Sequence, residues 1–338
     1  MQATRNLPPR ALPRHFRQPR LLLVGCGDIA ERITRLLGAQ NSRYRIRAVL
    51  RHAPESAAWR HWRQLGATPL RADLDQPRTL QRLHGIADSI IYLAPPAEQH
   101  PDRAMDPRLN RLLAALHGEK SLPRPGVKRF VLISTTGVYG DQQGALIDET
   151  CPVAPRTVRG RRRATAEATL RHWHRSSCRN SNQSSRQSGL ANMAPTGGIL
   201  RVPGIYAANR LPIERLRAGT PALRPEDDTW TNHIHADDLA RICWLALTRS
   251  ATLRPVNTSD DSTLKMGDWF DAVADAAGLA RPKRLPRAEL KERVSPMLYS
   301  FMSESRRLDN QRLKRELRIR LRYPTVSDFF ESPEGPLC

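Results

Sequence analysis

Lysine is scarce in this basic chain. Lys and Arg together number 55 of 338 residues, and only six are lysine (Lys120, Lys128, Lys265, Lys283, Lys291, Lys314). Against 33 acidic residues they leave a formal net charge of +22. The arginines are spread along the whole chain, and aromatics make up only 5% of it, so no basic stripe interleaved with stacking residues exists. Such charge implies salt-sensitive sticking to polyanions and no specific nucleic-acid partner. The five cysteines (Cys26, Cys151, Cys178, Cys243, Cys338) are odd in number and contain no CxxC pair. That argues against a zinc site and a disulfide framework, and favours a reducing, cytoplasmic setting. No apolar run approaches the roughly 18 residues of a membrane helix. No acidic residue precedes Asp28, and the Pro-rich leader lacks the apolar core of a secretory signal. Residues 1–19 therefore read as a disordered basic tail.

What is present is concentrated in LLLVGCGDIAERITRLL at 21–37. An apolar β-type run enters Gly25-Cys26-Gly27-Asp28-Ile29-Ala30, and a helical period follows with Ile29, Ile33, Leu36 and Leu37 on one face. This strand–turn–helix matches the dinucleotide pattern G-x-G-x-x-G/A. Gly25 permits the tight turn, Gly27 lets backbone approach a diphosphate, and the small Ala30 lets the helix sit close to the strand. The anion then rests on unpaired N–H groups at the positive end of a helix. A second strand, 44–50, ends at Arg51-His52, where an acidic residue would select NAD. A guanidinium suits a 2′-phosphate instead, which favours NADP over NAD. Cys26 is either a thiol polarised by the helix end or a small group that fits the turn.

Further along, strands are expected at 67–75, 89–93, 129–134 and 199–202. Helices are expected at 57–65, 78–83, 108–116, 164–174, 238–247 and 269–277. The alternation predicts an α/β, doubly wound parallel sheet of Rossmann type. Ligands of such sheets lie at the strand carboxyl ends, so Gly25–Ala30, Arg51-His52, Asp73-Leu74 and Leu93-Ala94-Pro95 converge on one crevice. The Ser/Asn/Gln-rich stretch 176–198 reads as a flexible insertion. A dinucleotide-binding domain over 20–204 is thus followed by a smaller, substrate-facing C-terminal region over 205–338.

Several stretches in order resemble the extended short-chain dehydrogenase/reductase superfamily, the NAD(P)-dependent epimerase/dehydratase group. More narrowly, the chain is similar to an atypical bacterial branch whose phosphate turn reads GCGDIG. The stretches are VGCGDIAERI (24–33), FVLISTTGVYG (130–140), DET (148–150), ILRVPGIYA (199–207) and NHIHADDLA (232–240). The resemblance covers roughly residues 20–325. It implies a cofactor contact near Pro203, a small-molecule substrate and a homodimer through the helices beside Arg163. It also implies a Ser/Thr, a Tyr and a Lys around the reacting oxygen. The Ser/Thr role falls on Thr135, flanked by Ser134 and Thr136. The Tyr and Lys positions hold Arg159 and Arg163. An arginine stays protonated, so Arg159 cannot replace a phenol as acid/base, while Arg163 retains the positive charge of the lysine. The cluster 159–163 suits a substrate phosphate or carboxylate, or else is a solvated basic face. Tyr139 and Tyr206 are the candidate substitute phenols. His233, His235 and the Asp237-Asp238 pair have no ligand-like spacing, so no metal is expected. Asp238 reads as a helix cap and His235 as a crevice residue, and Arg306 and Arg307 as contacts for an anionic substrate or solvated helix residues. Two functions fit: hydride transfer on a hydroxylated or nucleotide-linked small molecule, or a non-catalytic NADP(H)-binding sensor.

Overall fold

The computed structural model describes residues 18–40, 42–97, 104–117, 126–188 and 195–336. Most of the expected tail, residues 1–17, lies outside them. The run Leu21–Val24 is wholly buried because it is covered on both faces, as a central parallel strand requires. Leu21 and Leu23 point to one hydrophobic layer, Leu22 and Val24 to the other. At about 2 kcal/mol per buried aliphatic side chain, this strand anchors the fold.

Apart from six two-residue strands in the later parts of the chain, the described strands are, in order, β1 (Arg20–Val24), β2 (Arg45–Leu50), β3 (Thr68–Arg71), β4 (Ser89–Tyr92), β5 (Arg129–Thr135), β6 (Thr196–Val202), β7 (Gly204–Tyr206), β8 (His233–His235) and β9 (Arg254–Asn257). Seven of them form one sheet in the order β9-β6-β5-β4-β1-β2-β3, every neighbouring pair parallel. β7 and β8 form a separate parallel pair. The order reverses at β1, which lies between β2 and β4, and this reversal opens a crevice at the strand carboxyl ends.

Helices α1 (Asp28–Ala39), α2 (Ala57–Gln64), α3 (Pro107–His117), α4 (Val158–Ser188) and α5 (Ala236–Arg249) flank the sheet. Ile33 and Leu37 of α1 and Ile242, Ala246 and Leu247 of α5 share one layer, while Leu109 and Leu112 of α3 and Leu170 of α4 share the other. A third core, with Tyr206, Trp269, Phe270, Tyr323 and Phe329, holds the C-terminal region together. Among the described residues no helix is long and apolar enough to cross a membrane.

Two expectations are revised. The expected flexible insertion at 176–198 is helical up to Ser188, as the continuation of α4, and becomes strand at Thr196. Residues 189–194 lie outside the described residues. The stretch is polar, but no Gly or Pro occurs between Gly160 and Gly189, so nothing in it stops a helix already started. The division at 204/205 does not separate two bodies either. α5 packs on the sheet and β9 pairs with β6, so the later half of the sequence supplies the sheet's last strand.

Candidate functional site

The glycine turn is shaped by its neighbours. Gly25 has φ +97°, and a Cβ there would lie 2.4 Å from the Ala94 nitrogen and 2.7 Å from the Leu93 carbonyl carbon. The end of β4 is pressed against it, with Leu93 N–H donating to Val24 O at 2.7 Å. Gly27 is the opposite case: a Cβ would meet nothing within 4 Å. It caps α1, whose first intrahelical bond runs from Glu31 N–H to Gly27 O at 3.1 Å. The N–H groups of Asp28, Ile29 and Ala30 therefore precede the intrahelical ladder. Ala30 is fully buried beneath the turn.

This turn lines a cavity of about 490 Å³, within the roughly 300–1,000 Å³ typical of small-molecule sites. Gly25, Gly27, Asp28, Ile29, Ala30, Arg51, His52, Asp73, Leu74, Leu93, Ala94 and Pro95 all line it, and Pro203 does not. Sequence reasoning missed Trp62, Arg108, Ile205, Arg210 and Leu239, which come from distant segments and carry no local signature. Arg210 stands over the turn, held by Asp28 at 3.2 Å, and Arg32 takes the other Asp28 oxygen at 2.9 Å. The Asp28 carboxylate at the helix start is thereby compensated by two cations. Cys26 also lines the cavity, but burial pushes its thiol up to about 12. It stays protonated, which favours the small filling group over the polarised thiol.

The wall formed by residues 93–97 is held by three arginines through its carbonyls. Arg163 donates to Ala94 O at 3.0 Å, Arg108 to Pro95 O at 3.2 Å and Arg162 to Ala97 O at 2.7 Å. Arg163 is buried beneath the wall and stands 3.9 Å from Asp106. Thr135, at the end of β5, is half-buried, and its hydroxyl oxygen accepts from Gly137 N–H at 3.3 Å. Neighbouring Ser134 donates instead to Glu167 at 2.6 Å. Thr135, Arg159 and Arg163 are not among the cavity's lining residues.

The model of the NAD dependent epimerase/dehydratase family matches residues 22–258. The chain belongs to that family. Its members are NAD-dependent by description, which agrees with the glycine turn at the head of the sheet. Among solved structures, a functionally unknown conserved protein from Silicibacter pomeroyi is 25% identical, with 91% of this chain and 95% of that one covered at a TM-score of 0.67. The UDP-glucuronic acid 4-epimerase of Bacillus cereus, in complex with UDP-glucuronic acid and NAD, is 18% identical over 94% and 98% of the two chains, TM-score 0.68. A human epimerase family protein with NADPH is 17% identical over 92% and 98%, TM-score 0.64. The last two show the shared fold. No curated protein matches the chain significantly.

In this epimerase/dehydratase family member the other candidate positions have mostly structural surroundings. Tyr139 is fully buried and donates to Asn257 at 2.7 Å, and burial raises its phenol to about 12. Tyr206 is buried among Trp269, His235 and Phe329. Neither phenol is placed to exchange a proton in the crevice. Arg159 is exposed and lies over the Phe301 ring at 5.8 Å. Arg306 donates to Gly140 O at 2.8 Å and pairs with Glu304, and Arg307 donates to Gly144 O at 2.9 Å. Both hold the loop after β5.

His235 does not line the crevice. Its Nδ1 accepts from Asp237 N–H at 3.2 Å, capping α5, and its ring packs on Tyr323 and Phe329. The cap is thus His235, while Asp238 accepts from Arg322 and Tyr323 N–H and from Arg241. Among the described residues no cluster of three metal-ligand side chains occurs. Burial pushes His233 down to about 3 and His235 to about 4. Unfolded imidazoles titrate near 6.5, so below that pH unfolding takes up two protons that the fold does not bind. Stability from these groups is present above about pH 6.5 and is lost as pH falls towards 4. Asp260 opposes them: burial raises its carboxyl to about 7, so over pH 4–7 it is protonated in the fold and ionised when unfolded. Counting these three groups alone, the net near pH 5 is one proton, or about 1.4 kcal/mol per pH unit there. His235→Asn keeps a capping acceptor and removes one titration. Between pH 6.5, where an unfolded imidazole is half charged, and pH 5, denaturant unfolding is expected to show a decline about 1 kcal/mol per unit shallower in the variant. Equal declines would contradict this account.

Proposed function

We propose that the crevice binds NADP(H) and that the protein catalyses hydride transfer on a hydroxylated or nucleotide-linked small molecule. The observation that carries this reading is the open space at Gly27, in a cavity whose floor is a helix start with three N–H groups outside the ladder. The residues present fit a dinucleotide. The N–H groups of Asp28–Ala30 and the helix dipole would hold its diphosphate, Asp73 and Leu74 its adenosine end, and Leu93–Pro95 the wall between. Arg51 replaces the acid that would select NAD, and it is exposed at the end of β2.

When bound, the nicotinamide supplies a carbon that accepts or gives hydride. The chain's own part begins with Thr135, whose hydroxyl orients the substrate oxygen at the end of β5. With Tyr139 tied to Asn257 and Tyr206 packed among His235, Trp269 and Phe329, proton exchange at that oxygen passes through this hydroxyl and solvent. Arg163 acts through the backbone, fixing Ala94 from below. Arg159, exposed beside Phe301, is suited to an anionic substrate group. UDP-sugars are the first class to test, given the UDP-glucuronic acid held by the B. cereus neighbour.

Arg159 at the phenol position favours a second reading, a non-catalytic NADP(H)-binding sensor. Calorimetric titration with NADPH and NADH, followed by single-turnover oxidation of bound NADPH against UDP-sugars and aldehydes, tests both. Tight NADPH binding with turnover supports the enzyme, and binding without turnover on any carbonyl supports the sensor. Absence of binding by either nucleotide removes both readings.

A further inference from the structure

A second cavity of about 310 Å³ opens beside the crevice, and the two share Arg51, Ala72 and Asp73. Its remaining cations are Arg71, at the end of β3, and Arg82. The three arginines stand apart from the others around the crevice. Arg108 is held by Asp75, Arg210 by Asp28, Arg163 by Ala94 O, and Arg32 by Asp28 and Asp237. Arg51, Arg71 and Arg82 form no hydrogen bond or ion pair with any described residue; they meet only around this space. Three guanidiniums facing one cavity whose lining holds a single carboxylate, Asp73, repel one another. An anion bound among them relieves that repulsion.

The pocket is also preformed. Thr79 Oγ1 shares its one proton between Gln76 O at 2.8 Å and Asp73 O at 3.1 Å, and accepts from Asp73 N–H at 2.9 Å. Asp73 Oδ1 is occupied by Asp75 N–H at 2.9 Å. The loop that carries Asp73 and Gln76 is therefore held by its own bonds, and the arginines supply the free donors. Because the opening lies at the carboxyl ends of β2 and β3, the anion that reaches it comes from the adenosine end of the crevice.

We propose that Arg51, Arg71 and Arg82 together form a phosphate-monoester site that takes the 2′-phosphate of the dinucleotide, so that Arg71 and Arg82 set the preference for NADP(H) along with Arg51. This rests on the NADP(H) reading of the crevice and extends it to two residues outside the glycine turn and the end of β2. A fork of donors on a dianionic phosphate gives strong charge-assisted bonds, and a ribose diol offers those donors nothing equivalent.

The test uses the full chain and its Arg71→Ala/Arg82→Ala variant. Both positions are exposed, so the variant is expected to fold, with thermal melting as the check. Calorimetry is run with NADPH, NADH, adenosine 2′,5′-bisphosphate, 5′-AMP and inorganic phosphate. The parent chain is expected to bind the bisphosphate far more tightly than 5′-AMP. The double variant is expected to lose about 100-fold in NADPH affinity, roughly tenfold for each arginine, with NADH affinity unchanged. An unchanged NADPH-to-NADH ratio in the variant overturns the inference and leaves the crevice reading intact. The inference is also overturned if inorganic phosphate binds the NADH-loaded protein tightly and the 2′-phosphate brings no gain, since the pocket is then a site for free phosphate. Failure of the parent chain to bind either dinucleotide removes the crevice reading itself.

Discussion

Replacing Gly27 by valine is expected to abolish dinucleotide binding while the chain stays folded, whereas replacing Gly25 by alanine is expected to destabilise the fold itself. The two glycines are two residues apart and do opposite things. At Gly27 the backbone is extended, φ −108° and ψ −162°, and any L-residue adopts it. A Cβ meets no atom within 4 Å, so the protein itself has room for the valine. Its methyl groups then occupy the crevice over the helix N–H groups. A loss of more than about 100-fold in NADPH affinity is expected, with the melting temperature within about 4 °C of the parent. At Gly25 the obstacle is backbone. A Cβ would lie 2.4 Å from Ala94 N and 2.7 Å from Ala94 Cα, and Ala94 cannot retreat because Arg163 holds its carbonyl at 3.0 Å. The positive φ of 97° adds strain for any side chain. A cost of about 3 kcal/mol or more is expected in denaturant unfolding. Retained NADPH affinity in the Gly27 variant would place the dinucleotide elsewhere.

How far the sequence could be read depended on whether the deciding interaction is local. The glycine turn is written in consecutive residues: an apolar run, two glycines at fixed spacing and a helical period. The ends of β2, β3 and β4 could be placed beside it because a doubly wound sheet puts all its strand ends on one edge. Arg163 shows what local pattern cannot supply. Its position on α4 follows from helix register, but its side chain runs beneath Ala94 and away from the crevice. Arg210 and Ile205 reach the crevice from segments more than 170 positions beyond the turn, which no spacing rule foresees. The capping role of His235 does carry a local signal, since the residue preceding Ala-Asp-Asp at a helix start is where a cap belongs. The end of α4 is set by the lack of any helix breaker after Gly160, which outweighs the polar composition of the stretch.

Removing the Glu167 carboxylate is expected to be the most destabilising change outside the turn. Glu167, on α4, is 1% exposed and faces Arg201 of β6, 3% exposed, in a paired contact at 2.8 and 3.1 Å. Ser134 of β5 donates to it at 2.6 Å and Arg171 at 2.9 Å. One carboxylate thus joins a helix to the two strands that carry Thr135 and its register partner Val202. Arg201 also lies over the Tyr139 ring at 4.6 Å, so its guanidinium has no route to water. Glu167→Ala leaves that charge buried and uncompensated, and the loss expected in denaturant unfolding is about 3–5 kcal/mol. Glu167→Gln retains an acceptor for Ser134 but not the charge, so its loss is expected to be smaller. The double change Glu167→Ala/Arg201→Met removes both charges, and well-packed apolar replacements of buried ion pairs are often neutral. It is therefore expected to recover most of the single variant's loss, and the non-additivity of the cycle measures the pairing itself. The single variant also frees Ser134, the residue before Thr135, so its turnover should fall further than the folded fraction alone accounts for. A loss below about 1 kcal/mol in Glu167→Ala, the size of an exposed ion pair, would contradict a buried tether.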